Sequence, residues 1–507
     1  MTQLNLRNHS SQTSLHPFRD RLRKWTCVKD AIGNPKSRKL ATDRLPLQTY
    51  WRRSRGDVAN VHANPALVPE SVVFSPAYIH TLPPELLGEI FIHCLSSVQG
   101  PYLSIYDAPI LLCQICGYWR QVALSLPILW SNFRCNLGRE AKASHARLLQ
   151  LFVDRSRTIS LSLAFTPTPE LEATMKASVL ANVHRWRDVR VGLDAELGQT
   201  FVNILGGQPL RLESVEVMTC EGDWDVGQLI SRLSGLPSLR RIIWSADFLP
   251  PSLVNTAWPR LTNIKIAGQL LSGSDSITLL TNTPAVEHAD LGFVDPSTET
   301  LTYQPLITLQ RLRSLKLHAY DPDEIFDNFT FPSLMSLMTS RPHDPHVLRR
   351  LSERSSCKLE VFHMAATLDA EEAIFYLRLP CMHTVTSLEL RIGIGNDQLM
   401  TFLTWNPDPP LETATLPFLT RLSLTVNTTT DGAIGRMFVS RCLPKKLSAD
   451  LPASLKNVEL WIQEEWPFKR GVEYHPVDVT YFQHLAREGL NISWHCGCSI
   501  LPLLIVE

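Results

Sequence analysis

Cys113 and Cys116 stand in a C-x-x-C spacing, which can lower a thiol pKa for disulfide exchange or supply half of a metal tetrahedron. Both fall on the apolar stripe of a predicted helix, so core packing is favoured over redox or metal chemistry. His495, Cys496 and Cys498 crowd three soft ligands into H-C-G-C, without the paired C-x-x-C that a zinc site would need. Gly393 and Gly395 imitate the turn of a dinucleotide fold, but Gln398 replaces its third glycine. The sequence contains no G-x-S-x-G, phosphate-loop, H-E-x-x-H or calcium-loop pattern. The expectation is a chain without catalytic residues, cofactor or metal, and therefore one that acts by binding.

Composition limits the partners. Lysine plus arginine total 49, as do aspartate plus glutamate, so nothing global calls for a nucleic acid. Residues 1–60 carry thirteen of the basic residues against four acids, which leaves a mildly acidic body. Eleven scattered cysteines, an odd number without a secretory signal before them, read as free thiols of a reducing compartment, cytoplasmic or nuclear. No window approaches the ~18 apolar residues of a membrane span.

The elements that must position any site divide the 507 residues into three stretches. Residues 1–75 are basic, rich in Ser, Asn and Pro, and lack a sustained apolar period, so a flexible head is expected. Residues 76–136 form a helical module. Pro83 and Pro84 set a helix start, Glu85 suits its positive end, and Leu86, Leu87, Ile90, Phe91, Cys94 and Leu95 make one stripe. A second helix is predicted from an Asp107 cap to Pro127, with Leu111, Leu112, Ile115, Cys116, Trp119, Val122 and Ala123 on its stripe. Ile128, Leu129, Trp130 and Phe133 follow as a short third apolar element. Two broad stripes on about fifty residues exceed what so small a core hides, and part of them should meet a partner.

From residue 150 to 507 the spacing L-x-x-L-x-L recurs with drift. Leu212-Val215-Val217, Leu239-Ile242-Trp244, Leu261-Ile264-Ile266 and Val286-Ala289-Leu291 begin the series. It continues at Leu312, Leu334, Leu359, Val385, Leu419 and Leu455, and Trp186-Val189-Val191 is a further candidate. Successive starts lie 22 to 36 residues apart, close to the 20–29 of leucine-rich repeats. Each copy predicts a short strand with alternating inward apolar and outward polar residues, the stacked strands forming a curved solenoid whose return segments are helical or irregular. The fold class expected is α/β: a small helical module followed by that solenoid.

Leu82-Pro83-Pro84-Glu85-Leu86-Leu87, Ile90-Phe91, Leu111-Leu112, Cys116, Trp119-Arg120, Val122-Ala123, Pro127 and Leu129-Trp130 together resemble an F-box, particularly the F-box-like proteins common in mushroom-forming fungi. The likeness covers about fifty residues, and the leucine-rich-repeat-like array extends it weakly to the end. It implies a substrate-receptor subunit of a ubiquitin ligase: the F-box-like helices dock a Skp-family adaptor, and through it a cullin-RING ligase, while the array holds a protein substrate. The alternative is a protein-interaction scaffold without ligase coupling. Carried over from the family, adaptor contacts fall on Leu82, Pro83, Leu86, Leu87, Ile90, Leu111, Leu112, Ile115, Trp119 and Trp130, some of which must also be core.

On the array, the outward residues beside the inward pairs include Glu216, Lys265, Asp290, Lys316, His318, His363, Glu389, Arg391, Glu459 and Trp461. Their mixed signs suit a protein or peptide rather than nucleic acid. Lys316, His318, His363, Glu389, Arg391 and Trp461 are the candidate substrate contacts, with Arg391 and Trp461 as anchors because these residue types dominate interface energetics.

Overall fold

The computed structural model describes residues 82–95, 103–135, 143–165, 178–207, 210–295, 306–319, 322–406, 415–426, 429–442, 454–462 and 475–496. All lie in one compact unit, Ala77–Glu507. The basic head expected over 1–75 lies outside the described residues, as do Cys498 and the side chain of Cys496.

The helical module begins as its prolines dictate. Pro83 is the extended N-cap and Pro84 opens helix α1 (Pro84–His93), where the missing N–H costs nothing because first-turn donors have no helical acceptor. The second stripe differs from expectation: it is two helices, α2 (Ile110–Ile115) and α3 (Gly117–Ser125). Cys116 between them is fully extended (φ −157°, ψ 171°), and its Sγ accepts the Trp119 N–H at 3.4 Å, capping α3. Asp107 also acts otherwise than predicted, since its main-chain carbonyl, not its carboxylate, receives the Leu111 N–H at 2.9 Å. A 3-10 turn, Pro127–Trp130, leads directly into strand β1 (Asn132–Cys135).

From β1 onward, strands alternate with helices. After α4 (Ala143–Arg155) come β2 (Leu161–Phe165), β3 (Trp186–Leu193), α5 (Ala195–Gly207), β4 (Ser214–Cys220), α6 (Val226–Ser234) and β5 (Arg241–Trp244). Then follow α7 (Pro251–Asn255), β6 (Asn263–Ser272), α8 (Gly273–Thr281), β7 (His288–Asp295), the short β8 (Ile307–Thr308) and β9 (Ser314–Ala319). Next are α9 (Asp323–Asn328), β10 (Phe329–Thr330), β11 (Ser336–Thr339), α10 (His346–Ser355), β12 (Val361–Asp369) and α11 (Ala370–Leu377). The chain continues with β13 (Ser387–Ile394), α12 (Asn396–Leu403), β14 (Arg421–Val426), α13 (Ala433–Arg441), β15 (Asn457–Ile462), α14 (Pro476–Arg487) and β16 (Asn491–Cys496).

Fourteen of these strands form one open sheet, all parallel and in chain order, while β8 and β10 pair separately. Every copy of the leucine spacing, Trp186-Val189-Val191 included, coincides with a strand; β1, β2 and β16 extend the sheet beyond those copies. Two buried rows cross it. One runs through Val189, Val215, Ile242, Ile264, Ala289, Leu315, Leu337, Phe362, Leu388, Leu422 and Val458, which are register partners on successive strands. A single hydrophobic core joins these rows to Leu87, Phe91, Leu112 and Trp130 of the helical module.

Register comes from the backbone. The carbonyl just before each of β4–β7, β9 and β11–β14 receives two N–H groups from the start of the next strand: Glu213 from Arg240 and Arg241, Arg240 from Thr262 and Asn263, Thr262 from Glu287 and His288, and Glu287 from Arg313 and Ser314. The same pair of hydrogen bonds is accepted by Arg313, Met335, Glu360, Thr386 and Thr420. A carbonyl has two acceptor sites, so any residue can occupy this position, which explains why no side-chain ladder of Asn or Cys marks it.

Candidate protein-interaction surfaces

The module's stripe residues separate into two groups. Leu87, Leu112 and Trp130 are sealed in the core, each at most 6 % exposed, and so are packing residues rather than the contacts expected of them. Trp130 donates its indole N–H to the Ala123 carbonyl at 2.9 Å and meets Phe152 edge-on. Trp119 lies half-buried on Phe91, ring centroids 5.0 Å apart. Leu82 is half-buried and Pro83 exposed, and the Leu82 carbonyl accepts the Tyr118 hydroxyl at 2.7 Å. Leu86 and Ile90 on α1, and Leu111 and Ile115 on α2, remain 41–55 % exposed. Each pair is spaced i, i+4, so each helix turns one apolar edge outward while its opposite edge fills the core.

Cys113 is half-buried, and burial pushes its thiol above the ordinary value, against the partial pull of Arg120 and Arg155. A raised thiol pKa opposes thiolate chemistry, in keeping with C-x-x-C as a packing and capping feature. Gly395 has φ 74° at the turn into α12, where a Cβ would stand 2.9 Å from that of Ala370. Its role is a tight strand-to-helix turn.

The second surface is the outward face of the sheet. Register places Arg190, Glu216, Ile243, Lys265, Asp290, Lys316, Met338, His363, Glu389, Ser423 and Glu459 in one row across consecutive strands. Within it Arg190 pairs with Glu216 at 3.0 Å, Lys265 with Asp290 at 3.0 Å, and His363 with Glu389 at 3.2 Å. His318, Arg391 and Trp461 lie beyond this row toward the strands' C-terminal ends, Arg391 and Trp461 both facing Thr425 of β14. Trp461 is 39 % exposed, stacks on His495 with centroids 4.0 Å apart, and donates to Glu459 at 3.0 Å.

Five of the six candidate substrate contacts therefore gather on β9, β12 and β13. His363 is their centre. Burial lowers its pKa, Glu389 opposes that, and the charges of His318, Arg391 and Lys316 push it further down. Trp461 sits two strands beyond Arg391, about 10 Å away. Two shallow depressions mark the same face, one of about 220 Å³ floored by Asp188, Arg190 and Glu216 and one of about 300 Å³ floored by Lys265, Asp290 and Lys316. They are small, open and lined by ions, unlike the mostly apolar clefts of 300–1,000 Å³ that hold small molecules.

One group was not anticipated. Asp431, His475 and Asp478 bring potential ligand atoms within 4.8 Å of one another. Their atoms are already engaged: Asp431 receives the Val477 and Asp478 N–H groups, and Asp478 receives the Gly435 N–H at 2.6 Å and bonds His475 Nδ1 at 2.9 Å. Each aspartate thus caps the other's helix, α13 or α14. Distance in sequence hid the pair; Asp478 in the first turn after Pro476 was the visible signal. Among the described residues, no helix is long and apolar enough to cross a membrane.

Comparison with known proteins adds no relative: the chain matches no family model and no curated protein.

Proposed function

We propose that the chain is a substrate-receptor subunit of a Skp/cullin/F-box-type ubiquitin ligase, with a leucine-rich-repeat-like solenoid as its substrate-holding part. The observation that carries this reading is the divided stripe of the helical module. Leu87, Phe91, Leu112 and Trp130 suffice to anchor the module to the rest of the chain, yet Leu86, Ile90, Leu111 and Ile115 stay outside. Apolar side chains left on two helix edges mark a surface for another polypeptide.

Half-exposed, each of these four gains about 1 kcal/mol when covered. Their sum falls short of the cost of association, so adaptor docking also draws on exposed neighbours such as Ile105 and Tyr106. Chain-order parallel strands with a charged outward row support the solenoid reading and supply a separate surface for substrate. Ubiquitin transfer itself would occur on the ligase's other subunits.

The experiment is co-expression with a Skp-family adaptor. Leu86→Asp with Ile115→Asp changes exposed positions only, so the variant folds, and capture of the adaptor should fall by at least about a hundredfold as two charges enter an apolar interface. A folded double variant that captures the adaptor as well as the parent does would overturn the proposal.

A further inference from the structure

The outward face of the sheet is not uniformly charged. From β3 to β7 its ions neutralise one another, since Arg190 holds Glu216 and Lys265 holds Asp290. From β9 to β13 the balance changes. The one acid of the row there, Glu389, is engaged by His363, and among the described residues no carboxylate pairs with Lys316 or Arg391. His318 adds a further basic group beside them. Between the two cations lie Met338, half-buried on β11, and the His363–Glu389 pair of β12 and β13, while Ser314, Ser336 and Ser387 stand in the row on the other side of Lys316.

Resting on the reading of this face as the substrate-binding surface, we infer that the slot from Lys316 to Arg391 takes an acidic peptide segment, laid across the strands with a carboxylate at each cation. Strands β9, β11, β12 and β13 are immediate neighbours and Arg391 stands one row beyond Lys316, so three strand spacings and a two-residue step separate the two cations, about 16 Å. An extended peptide rises about 3.3 Å per residue, so two acidic side chains about four positions apart reach both. Between them the Met338 thioether lies against the peptide's stem, and the serine hydroxyls beside Lys316 can donate to its end. Charge selects: a basic segment would meet Lys316, Arg391 and the histidines without a free acid to receive it.

The test uses the full chain and a labelled Gly/Ser peptide carrying two glutamates four positions apart, with the glutamine version as control, at low salt by fluorescence anisotropy. The glutamate peptide should bind at least about tenfold more tightly than its glutamine twin, and Lys316→Gln with Arg391→Gln should erase the difference without altering the melting curve. Equal binding of the two peptides overturns the inference, as does unchanged discrimination by the double variant. Tighter binding of an oligothymidylate than of the glutamate peptide at the same two residues also overturns it, in favour of a nucleic acid. Should Trp461→Ala abolish capture of a cellular protein while both peptides bind alike, the face stands as a surface and the acidic class falls. Discrimination retained by a chain that fails to hold the adaptor supports this inference and removes only the ligase coupling.

Discussion

Arg441 shows how a single side chain can hold the array together. It is 1 % exposed and, among the described residues, has no acidic partner; its guanidinium instead donates to the carbonyls of Leu403, Leu416 and Thr415. Burial lowers its pKa to about 10, still well above neutral pH, so it remains charged and the three carbonyls must compensate for lost hydration. Arg185 and Arg354 likewise reach carbonyls, those of Ile159, Phe326 and Phe329, although Arg354 also lies 4.0 Å from the Asp327 carboxylate. Arg441→Met removes a costly buried charge but leaves three acceptors without donors, each worth about 1–3 kcal/mol when sealed from water. Orphaned acceptors outweigh the relieved charge, and the variant should lose about 3 kcal/mol, read as an earlier urea midpoint by circular dichroism. An unchanged midpoint would show that water replaces the arginine. Nothing in the sequence distinguishes this arginine from its exposed counterparts, because its acceptors are backbone atoms.

At the scale of elements, the last two helices depend on a close approach. A Cβ on Gly435 would lie 2.3 Å from Cδ2 of Tyr481, so α13 and α14 touch at a position that admits no side chain. The reciprocal caps of Asp431 and Asp478 need the same proximity. Gly435→Ala should therefore destabilise by about 1–3 kcal/mol although alanine is the better helix former by about 1 kcal/mol, since overpacking and a stretched cap act together. The measurement is hydrogen exchange: amides of both helices should lose protection, whereas equal protection in the variant would mean the helices can separate freely. The strands were legible because apolar pairs spaced i, i+2 recur. Strands β1, β2 and β16 were missed: Leu163 and Ile492 have Ser160 and Gly489 where the other copies carry an apolar residue three positions earlier, and Trp130-Phe133 reads as the end of the helical module. Likewise, one periodic stripe hid the break at Cys116, as an extended residue in mid-stripe leaves the apolar spacing intact.

Over the whole molecule, the predicted division between a helical module ending near 136 and an array starting near 150 is crossed by β1, which pairs with β2, and by a core common to both. Composition could not reveal this continuity, since the apolar run Ile128 to Phe133 reads equally as the module's last element. The candidate substrate contacts were legible as outward neighbours of inward pairs. Which of them meet was not, because that depends on register: Lys316 and His363 lie 47 positions apart in the chain yet face one another across β11. The module's contacts were legible only as a stripe, and burial then assigned Leu87, Leu112 and Trp130 to the core. The proposed role requires an adaptor to cover the outer edges of α1 and α2. Hydrogen exchange of the full chain with and without a purified Skp-family protein tests it most directly. Slowed exchange over residues 84–93 and 110–115, with the sheet unaltered, is the result expected; slowed exchange in the sheet alone, or no change anywhere, would contradict it.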